Sequence, residues 1–356
     1  TARDRARREG EAKGGDKTAT YSVTCPLITP ADVDHAMAAD KELAACGVTW
    51  VLLIALRKRL RERGYFDARP EPDLKRWLDL TAIGTVSDMV PLHGLNRAIV
   101  GHGIKRIAET DRPGVRALCS VAELSPDRIT AGRIGFHLGP RINAAGRVAH
   151  AGAGLDLLTT EDPEVAAATA REVDALNRKR RAIQDEITEQ ATALATERFD
   201  PDTSYGLVLA DASWHPGVLG IVATKLVEQF YRPTILLAIS EGRAQGSARS
   251  IPGFRLVEHL RKVEHLLIKY GGHDHAAGLT LELGQLDAFR AAFNAEAETT
   301  LASRHLVPRL KIDATFPISE VDFSLVQRLK ALEPYGQGNR EPNLLAEGVR
   351  GSLAKQ

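Results

Sequence analysis

The sequence predicts an α/β protein with a helical first half and a strand-containing region after it. Three observations support this fold class. Apolar residues over 41–160 recur at helical spacing, one long helix follows over 161–198, and short apolar runs of strand type come after that helix. The first two runs, 206–210 and 234–239, flank a helical segment at 217–230. Strand, helix and strand in this order predict a βαβ unit.

The composition is that of a globular protein with two or three domains. The chain has 356 residues, of which 26% are charged, and its formal net charge is +1. This balance gives no overall attraction to polyanions, so nucleic-acid binding would have to come from local basic patches. The longest apolar run, near 48–56, is too short to cross a bilayer, so we expect no membrane partner.

The cysteines and the chain ends bear on where the protein works. Cys25, Cys46 and Cys119 lie far apart without metal-ligand spacing, which is typical of a reducing compartment. No secretory signal is visible, so we predict a cytoplasmic protein. The chain starts at Thr1 without methionine and ends at Gln356 just after a strand-like segment, which predicts part of a longer polypeptide.

Helices dominate the first half. Residues 1–40 are polar and basic without a period, which predicts an irregular arm. One helix is predicted to end at Gly84, and the run 135–146, interrupted by glycine and proline, is expected to break regular structure. The predicted helices lie near 41–60, 73–83, 95–108, after Pro113 and near 152–158.

The long helix at 161–198 has a clear start signal. Asp162 can cap it, and Pro163 suits the first helical position. It has an apolar stripe on one side, and its opposite side is charged throughout, which is typical of a helix that bridges two domains. A domain boundary is predicted near Ala302. The later elements are strands at 247–250, 276–281 and 310–316, helices at 256–267 and 286–298, and a loop at 334–339.

Three glycine-flanked polar clusters are the strongest functional signal. They are WHPG at 214–217, GSARS at 246–250 and GGH at 271–273, all within about sixty residues. Glycine lets the backbone approach a ligand closely, and the neighbouring polar residue can hydrogen-bond an anion. Together the clusters predict a site for a phosphate or for the end of a nucleotide chain.

The first two clusters each allow two interpretations. Pro216 in the first helical turn leaves the following N–H groups free for an anion, and His215 can add a proton donor or a phosphate contact. A simple cap with a packed tryptophan is the alternative. Ser247 and Arg249 alternate along a strand and share one face, where a hydroxyl and a guanidinium can grip a terminal phosphate. An exposed edge strand is the alternative.

The third cluster places a histidine after two glycines. Gly271 and Gly272 allow a tight turn, and we expect His273 to contact a substrate phosphate, with a plain loop histidine as the alternative. His275 follows two residues later, but two histidines are too few ligands to argue a metal site.

Two further groups of polar residues lie in the helical half. Asp88 can bind a divalent metal through oxygen, although a single loop aspartate is more often a cap or turn residue. Arg141, Asn143 and Arg147 can follow a nucleic-acid backbone, or they are surface residues around a buried turn. The basic run at 178–181 on the long helix is more often simply solvated.

Taken together, these motifs resemble the RecJ single-strand-specific exonucleases of the DHH phosphoesterase superfamily. Seven features in the family's order, over 41–343, make the resemblance specific. They are GTVSDMVPL (84–92), LGPRINAAGR (138–147), the long helix, WHPGVLGIVA (214–223), GSARSIPG (246–253), GGHDHAAGLTL (271–281) and LEPYGQGNREP (332–342).

The resemblance implies a domain order and an activity. The activity is 5′→3′ hydrolysis of single-stranded DNA that carries a 5′ phosphate, with Mn²⁺ or Mg²⁺ activating water, in DNA repair and recombination. Single-strand-binding protein and a helicase are further implied partners. The implied parts are an arm (1–40), the C-terminal part of the DHH catalytic domain (41–160), a linker helix (161–200), the DHH-associated α/β domain (201–301) and the start of an oligonucleotide-binding (OB) fold (302–356).

The resemblance also assigns roles to individual residues. Asp88 matches the fourth metal-binding motif, and His273 matches the histidine that faces the scissile region and is expected to be catalytic. Ser247 and Arg249 match the pair that grips the 5′ phosphate. The other residues expected to bind substrate or DNA are Arg141, Asn143, His215, Gly271 and Gly272.

One departure from the family limits these expectations. Family members carry three aspartate-rich motifs upstream of the Asp88 position, and none appears in this sequence; Asp32, Asp34 and His35 stand in a different arrangement. Metal-assisted hydrolysis needs several ligands, so we expect the parent protein to be an exonuclease and this chain to be inactive alone. The alternatives are a non-catalytic single-strand binder of the same superfamily, or a phosphodiesterase for short oligonucleotides or cyclic dinucleotides.

Overall fold

The computed structural model describes residues 42–302 and 306–349, so the arm predicted over 1–40 lies outside the described residues. A helical region comes first and a five-stranded mixed sheet follows, which confirms the α/β prediction. The helices are α1 (Ala45–Glu62), α2 (Leu78–Ser87), α3 (Gly94–Ala108), α4 (Pro113–Val121), α5 (Ala131–Arg133), α6 (Gly139–Val148), α7 (Gly152–Thr159), α8 (Pro163–Arg198), α9 (Leu219–Phe230), α10 (Leu256–Lys262), α11 (Leu286–Leu301) and α12 (Phe323–Lys330).

The strands follow the predicted order, with two additions, one in the double-glycine segment and one at 344–345. The predicted strands near 206–210, 234–239, 247–250 and 276–281 are all present, and the double-glycine segment forms a further edge strand. The strands are β1 (Leu207–Asp211), β2 (Thr234–Ser240), β3 (Arg243–Arg249), β4 (Lys269–His273), β5 (Ala276–Glu282), β6 (Ala314–Thr315) and β7 (Leu344–Leu345).

The predicted end of α2 at Gly84 is wrong, because the helix continues to Ser87. Close packing explains the glycine: a Cβ atom at position 84 would lie 2.7 Å from the Sγ atom of Cys46 on α1. Gly84 therefore serves helix–helix contact rather than helix termination, although glycine lowers the helical propensity at that position.

The run 135–146 is helical, so the expected break in regular structure is also wrong. A π-helical turn, Ile134–Leu138, joins α5 to α6 without interruption. Gly139 faces α2, where a Cβ atom would lie 2.6 Å from the Ser87 Oγ atom. Pro140 lies in the first turn of α6, where the missing N–H group does little harm.

The long helix α8 joins two hydrophobic cores. Asp162 caps it as predicted, since its carboxylate accepts hydrogen bonds from Glu164 N at 2.8 Å and Val165 N at 3.2 Å. Its first half packs Ala170 and Val173 into the core of the helical region, and its second half packs against the sheet. The two regions are therefore connected by a continuous, buried element.

The sheet has the strand order β1-β2-β3-β5-β4, with β1 and β2 parallel and the other pairs antiparallel. One face is covered by α10 and α11 around Phe254, Phe289 and Phe293. On the other face α8 and α9 cover β1 and β2, through residues such as Leu209 and Leu236, and α9 reaches β3. Among the described residues, neither α8 nor α9 packs on β5 and β4, so the outer part of that face, beside Ser247 and Arg249 on β3, is left open.

The C-terminal segment returns to the helical region. The loop before β7 docks at the start of α3, where Leu92 N donates to Gln337 O at 2.7 Å and Arg97 Nη2 donates to Leu332 O at 2.9 Å. The predicted strand at 310–316 is reduced to β6, which pairs in parallel with β7. None of the described helices is long and apolar enough to cross a membrane.

Gly246 on β3 tests the close approach of neighbouring strands. A Cβ atom there would lie 1.8 Å from Leu236 O on β2, so Gly246→Ala must displace backbone and should lower the free energy of unfolding by about 3 kcal/mol. Gly284→Ala is the matched control, because a Cβ at that position meets nothing within 4 Å. Urea unfolding of both variants measures the difference, and equal midpoints would contradict the packing argument.

The His259–Glu296 pair predicts a pH dependence of stability. Burial raises the pKa of the Glu296 carboxyl, but hydrogen bonds from Lys262 and from His259 Nδ1, the latter at 2.8 Å, outweigh it, and the net pKa lies below the ordinary 4.5. A carboxyl whose pKa is lower in the folded state stabilises the fold above its unfolded pKa. That stabilisation is lost as pH falls through the lowered value.

Glu296→Gln isolates this contribution. Between neutral pH and acid below 4.5, the parent chain should lose more unfolding free energy than the variant, because the neutral amide does not titrate. Chemical unfolding at a series of pH values gives the two curves. The prediction fails if they stay parallel throughout the acid range.

Candidate nucleic-acid interface

The uncovered part of the sheet collects the residues of two predicted clusters. Ser247 and Arg249 on β3 point away from the core that contains Ala248, as their alternation predicts. On the neighbouring strands Gly278 pairs with both Ser247 and Gly271, and Ala276 pairs with both Arg249 and His273. These residues share one face. The rows Ser247–Gly278–Gly271 and Arg249–Ala276–His273 thus run side by side across three strands.

This face is almost free of large side chains at its centre. Gly271 and Gly278 are exposed, and a Cβ atom at Gly271 would meet nothing within 4 Å. Ser247, Arg249 and His273 surround this flat floor with a hydroxyl, a guanidinium and an imidazole. The arrangement exposes backbone to a ligand while polar side chains remain at its border.

Gly271 and Gly272 lie in β4 rather than in a tight turn, so that part of the prediction is wrong. Gly272 has a φ of 149°, and a Cβ atom there would lie 2.3 Å from Ala276 O. The strand turns afterwards, at 274–275. The close approach of β5 therefore explains the glycine at position 272, whereas the space around Gly271 is open.

Arg249 lies where the sheet face meets the start of α9. Its Nη1 atom donates to Ala248 O at 2.8 Å, and its Nη2 atom leaves no room for a side chain at Gly220, where a Cβ atom would lie 2.6 Å away. Burial, and then the charge of Arg147, lower the pKa of the Arg249 guanidinium. Two cations that lie close enough to repel each other create an attractive position for an anion.

His215 caps the short turn before α9. Its Nδ1 atom accepts a hydrogen bond from Gly217 N at 3.1 Å, which leaves the proton on Nε2 and directs that N–H away from the cap. Trp214 is buried and donates from Nε1 to Gln190 Oε1 on α8 at 2.9 Å. The cap with a packed tryptophan is therefore present, and this cap takes the N–H group of Gly217, which was expected to be free for an anion. The phosphate contact of His215 stays a prediction.

A cleft of about 1230 Å³ extends from the start of α9 to the C-terminal loop. Asn143, Arg147 and Arg180 line one end, together with Ile221, the residue after Gly220. The other end is lined by α3 and by the segment 333–341, which contribute the cations Arg97, Lys105 and Arg340 and the carboxylates of Glu333 and Glu341. Basic side chains outnumber acidic ones in this lining, which favours a polyanionic ligand.

Two exposed apolar side chains on the cleft wall were not predicted. Phe136 is 77% exposed within the π-helical turn, and Met89 is 71% exposed at a φ of 57°. A non-glycine residue in the left-handed region is uncommon, and π-helical turns are frequent at functional sites. The sequence signal for Phe136 was its place close to two glycines, which helical periodicity alone does not single out.

Asp88 is exposed at the C-terminal end of α2, between two residues that line the cleft. Among the described residues, no group of three or more His, Cys, Asp and Glu side chains is arranged to hold a metal ion. Mn²⁺ and Mg²⁺ require several oxygen ligands, so the described residues alone do not fit a catalytic metal centre. The metal role of Asp88 stays a prediction.

Arg141 and Asn143 take different positions on α6. Arg141 turns inward, with Nε donating to Asp174 at 2.9 Å, Nη1 to His137 O at 2.8 Å and Nη2 to Val121 O at 3.3 Å. These bonds attach α6 to α8 and to α4. Asn143 is exposed in the cleft. The strand-contacting role stays a prediction for both, and the geometry favours it for Asn143.

Comparison with known proteins agrees with this architecture. Residues 203–299 match the DHHA1 domain family, and residues 312–355 match the RecJ OB domain family. The single-stranded-DNA-specific exonucleases RecJ of Bacillus subtilis and Escherichia coli are both 37% identical to the chain, over 87% and 85% of its length. The chain covers 38% and 54% of those two proteins.

Solved structures give the same result. The crystal structure of RecJ in complex with Mn²⁺ from Thermus thermophilus has a TM-score of 0.72 and 34% identity, covering 83% of this chain and 42% of that one. A crystal structure of exonuclease RecJ bound to manganese has a TM-score of 0.59, covering 73% and 63%. The class is thus that of the DHH phosphoesterases with an associated DHHA1 domain. Within it, the chain belongs to the RecJ family.

Gly220→Ala separates the stability of α9 from the position of Arg249. Alanine raises the helical propensity and should increase the free energy of unfolding by up to about 1 kcal/mol. The added Cβ displaces the flexible guanidinium that lies 2.6 Å away, so affinity for thymidine 5′-monophosphate should fall about tenfold. Thermal unfolding and calorimetric titration measure the two effects. Unchanged affinity in a folded variant would contradict the placement of Arg249 at an anion site.

Proposed function

We propose that the chain is part of a metal-dependent exonuclease that degrades single-stranded DNA from a 5′-phosphorylated end, and that the described residues hold that end. The observation that carries this proposal is the uncovered sheet face, where Ser247, Arg249 and His273 border a floor of glycine beside a cationic helix start. The relationship to single-stranded-DNA-specific exonucleases supports the substrate class.

The proposed roles follow from the chemistry of each group. The Arg249 guanidinium and the Ser247 hydroxyl bind the terminal phosphate, since a planar fork of donors matches phosphate oxygens. His215 donates its free N–H to the same end of the strand. Gly271 and Gly272 bring the backbone of β4 close to the first nucleotide, and His273, at the end of that strand, faces the scissile phosphodiester as the catalytic histidine.

Asn143 and the cleft extend the interface beyond the first nucleotide. Exposed Phe136 and Met89 offer apolar surface to unstacked bases, and flanking cations attract the backbone, which is how single strands are bound without sequence preference. Arg141 supports this wall from behind. A duplex presents no unstacked bases to such a surface, so specificity for single strands follows.

The metal contribution requires more than the described residues provide. Mn²⁺ or Mg²⁺, when bound, supplies the activated water in the proposed reaction, and related RecJ structures were solved with each of these ions. Asp88 is the ligand that we assign within this chain. The remaining ligands must come from residues outside the described ranges, and we derive no catalytic step from the described residues alone.

We also propose the domain limits and the cellular setting. Residues 41–160 belong to the catalytic DHH domain, 161–200 to the linker helix, 201–301 to the DHH-associated domain and 302–356 to the OB fold; the two family matches support the last two assignments. The proposed setting is DNA repair and recombination in the cytoplasm, with single-strand-binding protein and a helicase as partners.

Arg249→Ala tests the proposed 5′-phosphate site. The parent chain should bind 5′-phosphorylated single strands more tightly than 5′-hydroxyl strands, and the variant should lose most of that preference, about tenfold, because the charge-assisted contacts are gone. Fluorescence anisotropy, in the presence of a metal chelator, measures the affinity for each of the two strands. Arg243→Ala, a solvent-exposed arginine at the other end of β3, is the control.

A second measurement concerns the reaction. The natural full-length polypeptide should release nucleotides from 5′-phosphorylated single strands with Mn²⁺, and not from duplexes. Binding without release would favour the non-catalytic binder. Release from di- and trinucleotides but not from long strands would favour the short-oligonucleotide enzyme.

A further inference from the structure

Buried and half-buried arginines in the described chain differ in what balances their charge. Arg112 donates to the carboxylate of Asp79 at 2.9 Å, and Arg141 donates to that of Asp174 at the same distance. Arg232 donates instead to backbone carbonyl oxygens, which accept hydrogen bonds from all three of its side-chain nitrogens. These three side chains have complete structural roles, since a buried charge needs a partner.

Arg180 on α8 is the exception. The side chain is buried, with 8% exposed, and its two terminal nitrogens donate to Asn177 Oδ1 and Gln184 Oε1, each at 2.7 Å. Its Nε atom is buried and has no hydrogen-bond partner among residues 42–302 and 306–349. Both partners are neutral amides, which hold the guanidinium in one orientation without a carboxylate that pairs with its charge.

The surroundings of Arg180 are cationic. Burial, then the charges of Arg181 and Arg147, lower the pKa of its guanidinium, and only Asp185, among the described residues that act on it, works in the opposite direction. Asp185 is exposed and is itself paired with Lys225 at 3.4 Å. Arg180 lines the cleft beside Arg147 and Asn143, so its unbalanced charge is directed at the proposed path of the strand.

We propose that Arg180, together with Arg147, forms a second phosphate-binding position, which takes an internal phosphodiester of single-stranded DNA. This inference rests on the proposed function and extends it. Arg147 links the two positions, because it lines the cleft with Arg180 and its Nη1 atom donates to Gly217 O, just before α9, at 3.3 Å. The Ser247–Arg249 pair takes the terminal phosphate, so the Arg180 position takes a phosphate further along the strand.

Asn177 and Gln184 are positioning residues in this arrangement. A carboxylate at either place would hold the guanidinium equally well but would neutralise it, and the cleft would lose its attraction for phosphate. Neutral amides at both contacts are therefore compatible with phosphate binding, whereas carboxylates at the same places would not be.

Arg180→Gln is the first test, with Lys179→Gln as the matched control on the exposed side of the same helix. The probes are oligothymidines of about twelve nucleotides, with and without a 5′ phosphate, bound in chelator at several salt concentrations. The variant should bind both probes about three- to tenfold more weakly. The slope of the logarithm of its binding constant against the logarithm of salt concentration should be smaller in magnitude by about one. The ratio between the two probes should not change, because the terminal phosphate is held elsewhere.

The outcomes separate this inference from the proposed function. If the parent chain shows no preference for the 5′ phosphate, the proposed function fails. If that preference is present and Arg180→Gln binds as Lys179→Gln does, the second position is overturned. It is also overturned if Arg180→Gln removes the preference itself, because Arg180 would then belong to the terminal site.

Asn177→Asp and Arg147→Gln keep the test decisive if Arg180→Gln does not fold. Asn177→Asp retains the hydrogen bond to Arg180 and adds a negative charge, so the folded variant should lose affinity for both probes as Arg180→Gln does. Arg147 is exposed, and its replacement should weaken the binding of both probes without unfolding the chain. Parental affinity in both folded variants would reject the proposal.

Discussion

The structure depends on one constraint, which is that α8 belongs to two hydrophobic cores at once. Its 36 residues, roughly 54 Å at helical rise, bury Ala170 and Val173 among helices and Ala191 and Ala195 against the sheet. Small side chains at these places let neighbouring elements approach closely. Because the helix is continuous, the walls of the cleft on either side of its midpoint keep a fixed relation, and Arg180 lies at that midpoint.

Charge is distributed to match this division. Where α8 only holds the fold together, its buried polar contacts are neutralised, as in the pair of Arg141 with Asp174. Where it borders the cleft, amides replace carboxylates around Arg180. In the proposed arrangement the same helix therefore serves stability and binding at different positions, and carboxylates pair with arginine only at the first of these. Sequence position alone does not distinguish them, since the basic residues from Arg178 to Arg181 are consecutive.

Much of the fold could be predicted from the sequence because local signals specify it. The cap at Asp162, the βαβ unit and the shared face of Ser247 and Arg249 all follow from spacing and propensity. The errors occur where glycine serves tertiary packing: Gly84 and Gly139 allow helices to touch, and Gly272 allows a strand to approach. Such contacts join residues that are distant in sequence, so local sequence patterns predict breaks and turns at the same glycines. The exposure of Phe136 and the partners of Arg180 are equally hard to read from local spacing.

Electrostatics favours separate places for the proposed phosphate-binding and metal-binding positions. A position that binds a terminal phosphate through Arg249 must exclude carboxylates, which would repel the ligand and neutralise the cation. A centre for Mn²⁺ or Mg²⁺ needs several carboxylates together. The two requirements are incompatible within one small cluster, but they are compatible across a cleft, where the substrate itself lies between them. In the proposed arrangement the described residues contribute the cationic side through Arg249 and the acidic side through Asp88, so substrate binding should persist in the chain under conditions in which hydrolysis does not occur.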